Sequence, residues 1–347
     1  MKMIVRSALA VLGLVATARS VRAEGTTDTS LATEVNRYLE ETSARQEDPT
    51  VFKFVFKDGI RAETSDKSFS VKIGGRVMND WFWKDADDPV RAAFAGVSED
   101  GVTFRRARLH IQGTMYKNID FSAEFDFASG TDAAFRDVYI GLKKVPGVGN
   151  FRVGHFKEPM SLEELTSSRN ITFMERSMPV NAFVQARNTG FMVFNTALED
   201  RLTWAVGLFR QTDETTGAGV DQDGSYAGAF RITGVPYQVP DEKTLVHVGF
   251  SASFRDPAGD AVQLRTRPDV ATGPRVVDTG SLTGVEDLTL FGFEAAVVWK
   301  SLSFQAEFFI ADLSGVGDPQ FSGFYVMVSY WVTGESRPYD AKEAKFD

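Results

Sequence analysis

The sequence predicts an all-β fold: a transmembrane antiparallel β-barrel with one short helix near its start. Three observations predict it. The chain opens with an export signal and then runs through about a dozen alternating segments of strand length. The connections between those segments are short and long by turns. Beyond residue 23 no stretch approaches the roughly 18 apolar residues of a spanning helix, which leaves strands as the means of crossing a bilayer.

Residues 1–23 read as a cleaved signal peptide. Lys2 and Arg6 make its positive start, residues 8–18 its apolar run, and Val21-Arg22-Ala23 its cleavage site. The 347-residue chain carries a net charge of −9, and losing the four basic residues Lys2, Arg6, Arg19 and Arg22 leaves −13. That balance excludes a general basic field for nucleic acid, so any attraction for anions has to be local. Without cysteine there is neither a disulfide framework nor a thiolate metal site. Residues 24–50 read as a periplasmic linker with a helix over 30–46, where Leu31, Val35 and Tyr38 recur at spacings of four and three. That is short of a coiled coil and fits either a solvated segment or a small oligomerisation helix.

The barrel is expected over 51–347. Residues 51–62 alternate Phe52, Phe54 and Phe56 with Lys53, Val55 and Lys57, then turn at Asp58-Gly59. From residue 69 strands are expected without helical interruption at 69–83, 102–116, 119–128, 135–143, 150–156, 189–198, 202–210, 226–233, 244–254, 287–299, 302–312 and 322–333. Tight links are expected at 117–118, 144–149, 199–201, 234–243 and 300–301. Longer ones are expected at 84–101, 157–188, 211–225, 255–286 and 313–321. A Greek-key sandwich has no reason to alternate in this way, whereas an outer-membrane barrel has short periplasmic turns and long external loops. The faces agree. Phe121, Ala123, Phe125 and Phe127 oppose Ser122, Glu124, Asp126 and Ala128, and Leu302, Phe304, Ala306, Phe308 and Ile310 oppose Ser303, Gln305, Glu307, Phe309 and Ala311.

The connection 157–188 is the exception to regularity. It mixes apolar anchors (Met160, Leu162, Leu165, Phe173, Met174) with charges, which suits a segment folded into the lumen as a constriction. Its acids Glu158, Glu163, Glu164 and Glu175 outnumber Lys157, Arg169 and Arg176 over 157–176. On strand 102–116 Arg106, Arg108, His110 and Gln112 share a face, while Arg105 is out of phase and needs a bulge to join them. Arg76 lies on the neighbouring strand beside two glycines, where the backbone can kink. An arginine fork hydrogen-bonds oxyanions in pairs and keeps its charge. The same arginines could instead pair with Glu124, Asp126 and Glu307. The three histidines sit on separate strands without a nucleophile or clustered ligands, so no catalytic or metal site is expected. Trp81 and Trp83 suit an interfacial girdle, or a glycan platform on an exported soluble β protein.

Several stretches resemble the phosphate-selective porin O and P family of outer-membrane channels. They are GGRV (74–77), FRRARL (104–109), GTMYKNIDFSAEFDFA (113–128), RVGHFKEPMSLEELTSSRNITFMERSMP (152–179), RNTG (187–190), FSGFYVMVSYWVTGESRPYD (321–340) and AKFD (344–347). The resemblance implies a sixteen-stranded barrel assembling as a homotrimer in the outer-membrane bilayer, without a cofactor, passing small anions such as phosphate. It implies about four further strands after AKFD, with 334–347 a charged tail leading onward. It also implies that Arg76, Arg105 and Arg106 line the constriction, with Ser167 as a loop hydroxyl; Arg108 and Lys157 complete the candidate set. The family's phosphate-preferring members carry a lysine where this chain has Glu164, and a desolvated carboxylate there would repel phosphate by on the order of several kcal/mol. A general-diffusion porin without phosphate selectivity is therefore the alternative, followed by an exported β protein that binds glycans or is structural.

Overall fold

The computed structural model describes residues 51–347 except 57–58, 95–96, 98–99, 129, 131, 214, 220–224, 269 and 316, together with Thr33, Glu34 and Arg37. Those three residues are helical; the rest of the expected 30–46 helix and the signal segment lie outside the described residues. The chain divides into two compact units, Met1–Val51 and Phe52–Asp347.

The second unit is built on one antiparallel sheet of 14 strands, in which each strand pairs with the next along the chain. A hairpin of β1 (Phe52–Phe56) and β2 (Ile60–Thr64) leads into β3 (Ser70–Trp83) and β4 (Asp100–Met115). Next come β5 (Ile119–Asp126), β6 (Ala134–Val145), β7 (Gly149–Lys157), β8 (Arg187–Ala197), β9 (Leu202–Arg210), β10 (Tyr226–Val239) and β11 (Thr244–Arg255). Two small hairpins in the following connection pair β12 (Ala261–Val262) with β15 (Leu282–Thr283) and β13 (Arg265–Thr266) with β14 (Val277–Asp278). The sheet then resumes with β16 (Val285–Trp299), β17 (Leu302–Gly315) and β18 (Gln320–Tyr330), leaving β1 and β18 as its edges.

Every full-length strand alternates a greasy and a wet side, as the pattern of period two requires. On β17, Ser303, Gln305, Glu307, Phe309 and Ala311 are buried inward while Leu302, Phe304 and Phe308 are exposed outward. On β18, Phe324, Val326, Val328 and Tyr330 are exposed. Aromatic residues mark both rims. Trp81, Trp83 and Tyr226 stand exposed at the long-loop ends of their strands, and Tyr116, Tyr237, Trp299 and Tyr330 at the short-turn ends. Exposed aromatics at both ends of the strands, Trp81 and Trp83 among them, match the two girdles expected of a membrane-spanning strand wall.

Four expectations are corrected. Strand β10 continues beyond Thr233 to Val239, slipping register between Gly234 and Tyr237, so the expected 234–243 link shrinks to 240–243. The 313–321 loop shrinks to 316–319 because β17 runs to Gly315, and the Leu313 amide still donates to Pro319 O at 3.1 Å. Short helices do interrupt the connections: α1 (Asp88–Ala93), α2 (Leu162–Leu165) and α3 (Met178–Phe183). Prolines open α1 and α3, where a missing N–H costs nothing, and the Ser161 hydroxyl caps α2 by accepting Glu164 N–H at 3.0 Å. Finally, residues 334–347 are not an extended charged tail. They form a hairpin of β19 (Tyr339–Asp340) and β20 (Lys345–Phe346) that folds back inside, with Phe346 fully buried.

Candidate anion constriction

Residues 158–186 leave β7 and cross to the inner face of the strands opposite. Apolar side chains carry them there. Met160, Val180 and Phe183 pack on Leu288, Leu290, Phe309 and Ala311, and Leu162 packs among Val235, Leu245, Ala296, Val298 and Phe346. Each such burial contributes about 1.5–3 kcal/mol. This explains why β16 presents Leu288 and Leu290, and β17 Phe309 and Ala311, to what is otherwise a wet interior: they are the landing site. The connection after β11 closes over the same cluster through Val262 and Leu264.

The acids of the loop act as tethers. Glu158 pairs with Arg255 on β11 and accepts Asn188 Nδ2–H at 2.6 Å. Glu163 accepts the Ser177 amide at 3.0 Å and its hydroxyl at 2.8 Å. Glu164 lies 3.3 Å from Lys157 Nζ and 3.0 Å from Arg176 Nε. Glu175 accepts Arg105 Nη2–H at 2.8 Å and lies 3.7 Å from Arg106. Burial alone would push Glu164 up, but Arg176 and then Lys157 outweigh it and hold its carboxyl below the ordinary value. Glu163, by contrast, is pushed up by burial against the pull of its Ser177 hydrogen bonds. The acid surplus read in the sequence is thus consumed inside the loop and its anchorage.

Glu307 does not pair with the candidate arginines, as one sequence reading allowed. Its carboxylate accepts the Leu162 and Glu163 amides, both at 2.9 Å, and the Tyr325 hydroxyl at 2.6 Å, satisfying the open amides at the start of α2.

The opposite wall carries the arginines. Arg76 faces Arg108 in register, and a Cβ on Gly75 would run into Arg108 O, so glycine permits this approach. The backbone irregularity falls farther along, between Met78 and Asn79, and the residue it expels from register is Arg105. The bulge needed to turn Arg105 inward is therefore present. Arg76 Nη1–H reaches Ser167 Oγ at 3.4 Å and its Nη2 lies 3.3 Å from Glu124, which joins the barrel wall to the loop tip. Arg108 spends its fork on Glu124 at 2.8 Å and Asp126 at 2.6 Å.

A cavity of about 400 Å³ lies between wall and loop, lined by ten Lys and Arg against four Asp and Glu. It brings together Arg76, Arg108, Lys157 and Ser167. Arg105 instead lines a separate cavity of about 490 Å³ with Arg136, Arg265, Arg267 and Arg275. Arg106, at 3% exposure, lies under Glu175 and Met78, and neither it nor Glu164 reaches the wall of either cavity. Sequence reasoning missed Arg187, held by Asp137 through two hydrogen bonds of 3.2 Å, and undervalued Arg169. Arg169 is exposed on the loop tip without an ion-pair partner among the described residues. Their only sequence signal was their place in SSRN and RNTG.

The profile of the family "Phosphate-selective porin O and P" matches residues 71–347. Porin O of Pseudomonas aeruginosa is 29% identical over 323 residues, covering 84% of this chain and 70% of that protein. An uncharacterized protein of Caulobacter vibrioides is 28% identical over 300 residues, covering 83% of this chain and 58% of its own length. Among solved structures, a loop L8 deletion mutant of OmpT, an outer membrane protein of Vibrio cholerae, is 15% identical with a TM-score of 0.48, covering 76% of this chain and 78% of that one. The family match takes in the arginine strands, the infolded loop and the closing hairpin together: the chain belongs to the phosphate-selective porin O and P family.

Proposed function

We propose that this chain is an outer-membrane porin, exported by a cleaved signal over 1–23 and working as a homotrimer, through which small anions such as phosphate diffuse passively. The observation that carries the reading is the excess of ten basic over four acidic side chains around one lumenal cavity. A permeating oxyanion gives up part of its hydration to Arg76, Arg169, Lys157 and Ser167. One exposed arginine about 4 Å away stabilises it by about 1 kcal/mol in a largely aqueous lumen. Glu124, shared by Arg76 and Arg108, tempers that attraction, so the ion is bound without being trapped. Glu164 adds little repulsion because Lys157 and Arg176 already neutralise it. The family is one of channels, and the site holds donors and charges rather than a nucleophile and base.

General diffusion without phosphate preference has one observation in its favour: Arg105, Arg106 and Arg108 already face carboxylates. Phosphate titrated into chloride solutions on planar bilayers separates the two. The phosphate-binding reading expects chloride current to fall as phosphate rises; an unchanged current leaves the general-diffusion reading standing.

A further inference from the structure

Arg152 is a half-buried cation of the lumen wall. It projects inward from β7, opposite Gly141 and Met192 in register, and Gly141 offers no side chain to obstruct it. Its guanidinium carbon lies 4.0 Å from the ring centroid of Tyr139 on β6, 5.1 Å from Phe194 on β8 and 5.6 Å from Phe156 on its own strand. Its Nε is buried without a hydrogen bond, and no carboxylate lies within ion-pair distance of it among the described residues. Arg76, Arg108, Arg176, Arg187 and Arg231 each have one. Tyr139, Arg152 and Phe194 line both the 400 Å³ cavity at the constriction and a larger one of about 900 Å³ on the short-turn side. Arg152 therefore stands at the junction of the two.

We propose that Arg152, clamped by Tyr139, Phe156 and Phe194, is a second anion-binding station on the short-turn side of the constriction, and that it selects aromatic carboxylates. This rests on the porin reading above. The rings hold the cation in place without neutralising it. With Nε buried, the groups left for a ligand are the two Nη amino groups, which meet a planar carboxylate through two parallel hydrogen bonds. An aryl group on that carboxylate lies against the edges of Tyr139 and Phe194. Acetate gains the same charge and hydrogen bonds but nothing from the rings.

The test is block of single-channel chloride current in planar bilayers by benzoate and by acetate, read as the ratio of their half-blocking concentrations. Wild type is expected to be blocked at about five-fold lower benzoate than acetate. Arg152→Lys keeps the charge and loses the planar fork, so the ratio falls toward one. Phe194→Leu thins the cage and lowers the ratio while Arg152 stays in place. A wild-type ratio of one, or a ratio unmoved in both variants, overturns the station and leaves the porin reading intact. Absence of channels from wild type overturns both.

Discussion

Arg105 and Arg106 are neighbours in sequence but have different fates, and the divergence is set by one irregularity in the ladder. Strand alternation would turn Arg106 inward and Arg105 outward; the register slip between Met78 and Asn79 turns Arg105 in as well, where Glu175 meets both. Because Arg106 is 3% exposed, reversing its charge would set two carboxylates face to face under the loop. Arg106→Glu is accordingly expected to cost about 3–5 kcal/mol of loop anchorage, seen as lowered heat resistance of the folded band on electrophoresis; a fully stable variant contradicts the pairing. Arg169 is the cleaner probe of conduction, being exposed on the loop tip without an ion-pair partner among the described residues. Arg169→Glu should leave folding intact and shift the reversal potential toward cations. Its cost to a passing anion is about 1–2 kcal/mol for two charge units at 4 Å in a largely aqueous lumen. No shift would place Arg169 away from the ion path. None of these assignments could be settled from charge spacing. The sequence shows arginines on a face, but which one stays free depends on carboxylates 16 to 70 residues away along the chain.

Among the elements, the strands were legible and the loop only half so. Period-two alternation places one greasy and one wet face on each strand without reference to any partner, so the sides of β5, β17 and β18 follow directly from residue order. Strand ends were misjudged at Gly234 and at Ser314-Gly315 because turn-forming residues can also continue a ladder beside a bulge. The inward course of 158–186 was suggested by Met160 and Leu162, but its tethers to Arg255 and Glu307 join residues 97 and 145 positions apart. No local signal announces such pairs. The Glu164 tether gives the loop a pH dependence of known sign. Glu164 titrates below its unfolded value, so the stability it adds is complete above about pH 4.3 and is lost as pH falls through the folded value. Open-channel noise should therefore rise on acidification below about pH 4, and Glu164→Gln should show raised noise already at pH 7. Noise that stays flat with pH would mean that the Lys157–Glu164–Arg176 cluster does not hold the loop.

At the scale of the molecule, one continuous sheet supplies both a lipid-facing wall and the arginine wall, and the loop supplies the opposite side of the passage. Net charge argues against anion transport, since the chain is acidic as a whole. The resolution is spatial. The four loop acids are used as tethers, while basic side chains gather around the cavity that remains. Selectivity in this account comes from that local field and not from composition. The most direct measurement is the reversal potential of the reconstituted full-length protein across a potassium chloride gradient. The account predicts a potential of the sign set by chloride, shrinking as salt rises and screening shortens. A potential of the sign set by potassium would contradict it.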